Sequence, residues 1–160
     1  MAKKAAGTPA TVLLSAERVA HTLHPYDVAA DAPNYGALVA RALAVEPERL
    51  FKTLIAEVDG RLVVGVVPVT GDLDLKALAS AAGGKRAVLA DRAAAERSSG
   101  YVRGGISPLG QRKRLPTLID DTAPILDLMY VSAGRRGLQV ALAPADLIRL
   151  TGASVAPIRG

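Results

Sequence analysis

Two apolar, β-branched runs, residues 51–58 and 61–69, are separated only by Asp59-Gly60. That segment constrains the fold more than any other. An Asp-Gly pair supplies the positive φ that a two-residue type I′ turn needs at both central positions, and the twist of that turn matches the strands it joins. The segment is therefore predicted to be an antiparallel hairpin.

Around it, short helices alternate with short strands. Thr8-Pro9 reads as a helix start, with threonine at the cap and proline at the first helical position, and Val12, Leu13, Ala16, Val19 and Ala20 follow at helical spacing. Residues 23–27 read as extended. Tyr35, Leu38, Val39 and Ala42 mark a second helix that Pro47 closes. Residues 74–82 form a third helix ended by Gly83-Gly84, followed by a short strand at 87–90 and a short helix from Asp91. Residues 115–119, 128–132 and 137–142 read as strands, the last two joined by a tight turn around Gly134-Arg135-Arg136, and 144–150 as a terminal helix. Without regular βαβ alternation this is an α+β (mixed α/β) pattern: one domain over residues 8–160, with a largely antiparallel mixed sheet flanked by helices. Residues 1–7 read as a flexible tail. The helices are expected to cover one face, leaving the other face or the loop rim for a site.

Half of the 160 residues are apolar, enough for a packed core, and there are no cysteines. That excludes a disulfide framework, a thiolate zinc site and a cysteine nucleophile. The N-terminus lacks an apolar signal core, and no apolar run approaches the roughly 18 residues of a membrane span. A cytoplasmic protein with no membrane partner is expected.

Charge is concentrated. The net charge is +5, yet residues 85–114 alone carry eight Lys and Arg against Asp91 and Glu96. This segment ends in Gly104-Gly105-Ile106-Ser107-Pro108-Leu109-Gly110-Gln111-Arg112-Lys113-Arg114, a glycine-rich turn leading into three consecutive cations. Adjacent glycines let the backbone approach a ligand and offer N–H groups to a carbonyl or phosphate oxygen. Such a cluster is either a solvated face or a surface for a phosphate backbone.

Other candidates are single residues. Lys52 alternates onto the face of Leu54, Ala56 and Val58, where it either reaches water past apolar neighbours or offers a cation to a site. Thr53 falls on the opposite face and would need a twist or bend to share a pocket with it. Ser107 lacks a Gly-x-Ser-x-Gly elbow, so a turn serine is favoured over a nucleophile. His21 and His24 lie far from it in sequence and read as satisfied or exposed rather than as metal ligands. Gly83-Gly84-Lys85-Arg86 lacks the hydroxyl residue of a phosphate loop, and no Gly-x-Gly-x-x-Gly occurs. Tyr26 and Tyr101 are the plausible base stackers.

Phe51-Lys52-Thr53-Leu54, the loop from Ser99 to Gly110 and the turn Tyr130-Val131-Ser132-Ala133-Gly134-Arg135-Arg136-Gly137-Leu138 together resemble the YbaK/EbsC family, in order from about Thr8 to the C-terminal helix. The resemblance implies a YbaK-like fold, related to the editing domain of bacterial prolyl-tRNA synthetases. It implies hydrolysis of the ester joining cysteine to proline tRNA, with no metal and no organic cofactor, and with the substrate's own thiol attacking the carbonyl. It maps the catalytic lysine onto Lys52, the carbonyl-holding backbone onto Gly104 and Gly105, and substrate contacts onto Tyr26, Thr53, Ile106, Ser107, Pro108, Ser132 and Gln139. Arg103, Arg112, Lys113 and Arg114 would meet the tRNA backbone. The implied partners are the acceptor end of proline tRNA and prolyl-tRNA synthetase, not DNA. Ala133 stands where relatives commonly have glycine, and Gln139 where close relatives can have aspartate, which alters how an α-amino group is held. The competing expectations are a deacylase for Ala-tRNA(Pro) or another small aminoacyl-tRNA, and a non-catalytic tRNA- or synthetase-binding module.

Overall fold

The computed structural model describes residues 7–29 and 31–160. The expected tail, apart from Gly7, lies outside the described residues. The hairpin forms as the Asp-Gly signal requires: β2 (Phe51–Val58) pairs antiparallel with β3 (Arg61–Pro68) along its whole length, and Asp59 and Gly60 both take positive φ, 49° and 82°.

Before it come α1 (Pro9–Ala16), β1 (His21–Pro25) and α2 (Tyr35–Leu43). After it come α3 (Leu75–Ala81), β4 (Ala87–Leu89), α4 (Arg92–Ser99), β5 (Thr117–Asp120), β6 (Met129–Arg135), β7 (Leu138–Leu142), α5 (Pro144–Thr151) and β8 (Ser154–Ala156). Side-chain caps start three of the helices: Thr8, Asp74 and Asp91 each accept an N–H from the first turn. Thr8 also donates to the carbonyl of Ala133, tying α1 to β6. The helix α1 buries Ala10 and Leu14 rather than the stripe read from Val12 and Ala16. It ends at Ala16, just before Arg18 turns left-handed, so Val19 reaches the core from outside the helix.

The α+β class holds, and the strands divide into two sheets. One is antiparallel in the order β1-β7-β6; the other runs β4-β2-β3-β5-β8, with β5 parallel to both β3 and β8. The main core lies between them. Phe51, Ile55, Val64, Val66 and Ile119 of the larger sheet pack on Met129, Val131, Val140 and Leu142 of the smaller, with Leu14 and Leu147 from α1 and α5. On the other face of the larger sheet, α3 covers Ala56, Val63, Val67 and Leu118 through Leu78 and Ala79. Both faces are thus covered, and a site is left to the rim.

The short β8 carries no hairpin signal of its own. Its position depends on Asp120, which is 2 % exposed and accepts the N–H groups of Ile158 and Arg159, both at 3.0 Å, and the hydroxyl of Thr122 at 2.7 Å. Burial works against the carboxylate charge, but these hydrogen bonds outweigh it and hold the carboxyl below its ordinary value.

Candidate functional site

A gap in strand pairing creates the site. One edge of β2 is filled by β3, whereas the other is paired only at its ends, where Ala56–Val58 meet β4 and Leu50 makes a parallel bridge to Tyr130 of β6. Between these points the edge of β2 opens onto a cleft of about 1130 Å³. At an open edge, side chains from both faces reach one space. Lys52 and Thr53 therefore line the cleft together although they alternate.

Thr53 points with Phe51 and Ile55, and its Oγ1 is buried without a hydrogen-bond partner among the described residues. Across the cleft Gln139 of β7 is 6 % exposed, and its Oε1 is likewise unpartnered. Ser132 stands beside it in the β6–β7 ladder, its Oγ accepting the Gly134 N–H at 3.1 Å. Buried polar atoms without partners are uncommon in native proteins, so two on the walls of one cleft point to a polar ligand. Lys52 Nζ lies 3.5 Å from Asp72 Oδ1, on a carboxylate that is 97 % exposed. Such a pair contributes little and leaves the ammonium free to turn toward a ligand.

The glycine loop forms one rim. Val102 accepts the Gly105 N–H at 2.9 Å across a turn whose Gly104 has φ 89°. The Gly105 donor is consumed there, and an added Cβ would stand 2.7 Å from backbone atoms of Arg135 and Arg136. Gly105 is the seat of the β6–β7 hairpin. Gly104 and Ile106 line the cleft, and the Gly104 N–H has no partner among the described residues. Ser107 is fully buried and accepts the Leu109 N–H at 3.2 Å, a turn role, and Pro108 is buried with it; neither lines the cleft. Tyr101 is buried too, its hydroxyl donating to the Leu109 carbonyl at 2.6 Å, and burial pushes its pKa up to about 12.

Tyr26 enters indirectly. Its hydroxyl is 2.6 Å from that of Tyr35, which lines the cleft from α2. Burial, reinforced by this bond, holds the Tyr35 hydroxyl well above its ordinary pKa. The histidines stand apart: His21 Nδ1 contacts the Val19 carbonyl at 2.7 Å, and His24 Nε2 contacts Thr22 Oγ1 at 2.7 Å.

The cations separate into two groups. Arg103 lines the cleft, as do Arg92 and Arg136, which were not among the sequence candidates. Arg112, Lys113 and Arg114 do not. Arg112 packs by Gly100 at the end of α4, and Arg114 Nη2 would lie 2.9 Å from a Cβ at Gly152, the end of α5. Cations there complement helix C-termini.

A family model described as the aminoacyl-tRNA editing domain matches residues 31–150. The chain belongs to the aminoacyl-tRNA editing domain family. Residues 31–150 take in every residue that lines the editing domain's cleft, including Lys52, Thr53, Gly104, Ser132 and Gln139. An Enterococcus faecalis (strain ATCC 700802 / V583) protein named "Putative Cys-tRNA(Pro)/Cys-tRNA(Cys) deacylase EbsC" is 41 % identical over 122 residues, 75 % of this chain and 74 % of that one. Two solved structures share the fold. "Hypothetical protein APE2540" superposes with a TM-score of 0.84 at 23 % identity, over 96 % of this chain and 100 % of that one. A "putative trans-editing enzyme for prolyl tRNA synthetase" superposes with a TM-score of 0.82 at 20 % identity, over 98 % and 99 %. Among the described residues no helix is long and apolar enough to cross a membrane.

Proposed function

We propose that this editing domain is a trans-editing hydrolase that removes cysteine from mischarged tRNA(Pro), with the substrate thiol as nucleophile. One observation supports it above the others: Thr53 and Gln139, each with a buried polar atom that has no partner among the described residues, line the same cleft as Lys52 and Gly104, whose N–H is likewise unpartnered among them. An aminoacyl ester supplies what each lacks. Its α-ammonium donates to Gln139, its carbonyl oxygen accepts from Gly104, and a hydroxyl of the terminal ribose pairs with Thr53. Lys52 turns from Asp72 to the charge that develops on oxygen.

The cleft offers no strong nucleophile of its own. The chain has no cysteine, neither histidine lines the cleft, and Ser132 Oγ is held by a backbone N–H with no imidazole beside it. A cysteinyl ester carries its own. Its sulfur bonds to the carbonyl carbon as the bond to the ribose oxygen breaks, and the thiol proton ends on that oxygen. The product is free tRNA and a four-membered thiolactone, which water opens to cysteine. The protein contributes orientation and charge stabilisation, both of which accelerate such a step strongly. Prolyl-tRNA synthetase, as the source of the mischarged RNA, is the proposed partner, and the relative's name, which spans two cysteinyl-tRNAs, supports recognition of the acceptor end over the tRNA body.

The test follows loss of the ester from Cys-, Ser- and Ala-tRNA(Pro), with no-enzyme and Lys52→Ala controls. Rapid loss of cysteine alone, slowed about 10²–10³-fold in Lys52→Ala, is expected. No loss of any ester refutes the hydrolase reading, and equal loss of all three refutes the role of the thiol.

A further inference from the structure

The tip of the β6–β7 hairpin is held more firmly than a surface turn needs. Its backbone sits on Gly105, and beside it the Gly137 carbonyl accepts the Tyr26 N–H at 2.9 Å. Arg136 projects from this tip along the glycine loop. Its Nε and Cγ would stand 3.0 and 3.3 Å from a Cβ at Gly104, and its Nε donates to the Arg103 carbonyl at 2.8 Å. That bond fixes the plane of the guanidinium and leaves both terminal nitrogens without a carboxylate within 4.0 Å among the described residues. By contrast Arg92, on the same rim, is paired with Glu96 at 3.2 Å. Arg136 lines the cleft together with Glu96 of α4 and Tyr35 of α2.

A planar cation oriented by its Nε, with its outer fork open, is suited to bidentate contact with a phosphate. We infer that Arg136 is the phosphate clamp of the cleft, gripping the phosphodiester on the 5′ side of the terminal nucleotide whose aminoacyl ester lies beside Gly104. This rests on the proposed deacylase reading. It assigns phosphate recognition at the reacting end to Arg136, with Arg103 beside it, and not to the run Arg112-Lys113-Arg114 that dominates the sequence. Because the guanidinium is already oriented, little side-chain freedom is lost when the phosphate arrives.

Two readouts on the intact protein test it, with wild type, Arg136→Ala, Arg136→Lys and the distant Arg61→Ala as a charge control. The first is binding of an uncharged RNA ending in CCA, measured against salt. Arg136→Ala is expected to weaken binding about tenfold and to reduce the log–log salt slope by about 0.7, the share of one single-strand phosphate. Arg136→Lys should recover the slope but only part of the affinity, since a point charge cannot reproduce the fork. The second is hydrolysis of 3′-cysteinyl adenosine with and without a 5′-phosphate, where the Arg136→Ala loss should be about tenfold greater for the phosphorylated ester. Equal losses on both esters, or RNA binding no weaker than in Arg61→Ala, would overturn the clamp. If wild type cleaves no ester, the deacylase reading fails by itself and the binding readout still decides on Arg136.

Discussion

Replacing Thr53 with valine separates the two roles a buried hydroxyl can have. Thr53 sits in β2, where a β-branched residue is favoured, and valine keeps the shape while exchanging hydroxyl for methyl. In the free protein the hydroxyl has no partner, so no hydrogen bond is lost. A buried unsatisfied polar group costs about 1–3 kcal/mol. Taking the low end, because its residue lines a cleft, Thr53→Val should stabilise the protein by about 1 kcal/mol, or roughly 2–4 °C in Tm for a chain of this size. Hydrolysis of Cys-tRNA(Pro) should fall about tenfold as a hydrogen bond to the substrate disappears. Thermal unfolding and single-turnover deacylation measure the two effects on the same preparations. A variant destabilised by 1 kcal/mol or more would mean that the hydroxyl has a structural partner, and a stabilised variant with full activity would mean that the substrate does not use it. Either result would remove Thr53 from substrate recognition as assigned.

Gly105→Ala should lose about 1–3 kcal/mol, because the added Cβ meets backbone at 2.7 Å and not a side chain that can swing away; a Tm unchanged by the substitution would contradict this packing. It should also lower deacylation by displacing Gly104 and Arg136, although its own N–H is already used in the turn. Asp120→Asn should cost about 2–4 kcal/mol at neutral pH, since it weakens charge-assisted bonds to Thr122, Ile158 and Arg159. The folded pKa of Asp120 is depressed, so its stabilising contribution is complete above the ordinary carboxylate range and is lost as pH falls through the lower folded value. Melting curves of wild type and Asp120→Asn should therefore converge in acid, and a gap that widens on acidification would contradict the assignment.

Elements with local signals were legible in the sequence. Asp59-Gly60 specified the hairpin, Thr8-Pro9 the start of α1, and Asp74 and Asp91 the places where α3 and α4 begin, because each acts through atoms a few residues away. What was not legible depends on distant partners. Nothing near residue 154 announces β8, which is a strand because Asp120 anchors the following residues and β5 offers a parallel edge. The division into two sheets has the same origin. In the site, the Lys-Thr pair and the glycine loop stood out by residue type, but their meeting required β4 to be too short to cover β2. The run Arg112-Lys113-Arg114 drew attention as a block of charge, whereas the fold turns two of its members toward helix ends. Arg136 lay within a recognised turn. Only the seating of that turn on Gly105 places its side chain at the cleft.

In the proposed reaction the protein positions an ester which the substrate's own sulfur cleaves. Its most direct test compares cysteinyl-tRNA(Pro) with S-methylcysteinyl-tRNA(Pro) at saturating enzyme in a single turnover. The methyl group blocks the sulfur while leaving the α-amino group, the ester and the RNA intact. Rapid cleavage of the first is expected and, for the second, binding of similar strength with loss of the ester no faster than without enzyme. Comparable rates on both would contradict it and would require a nucleophile from the protein or from water.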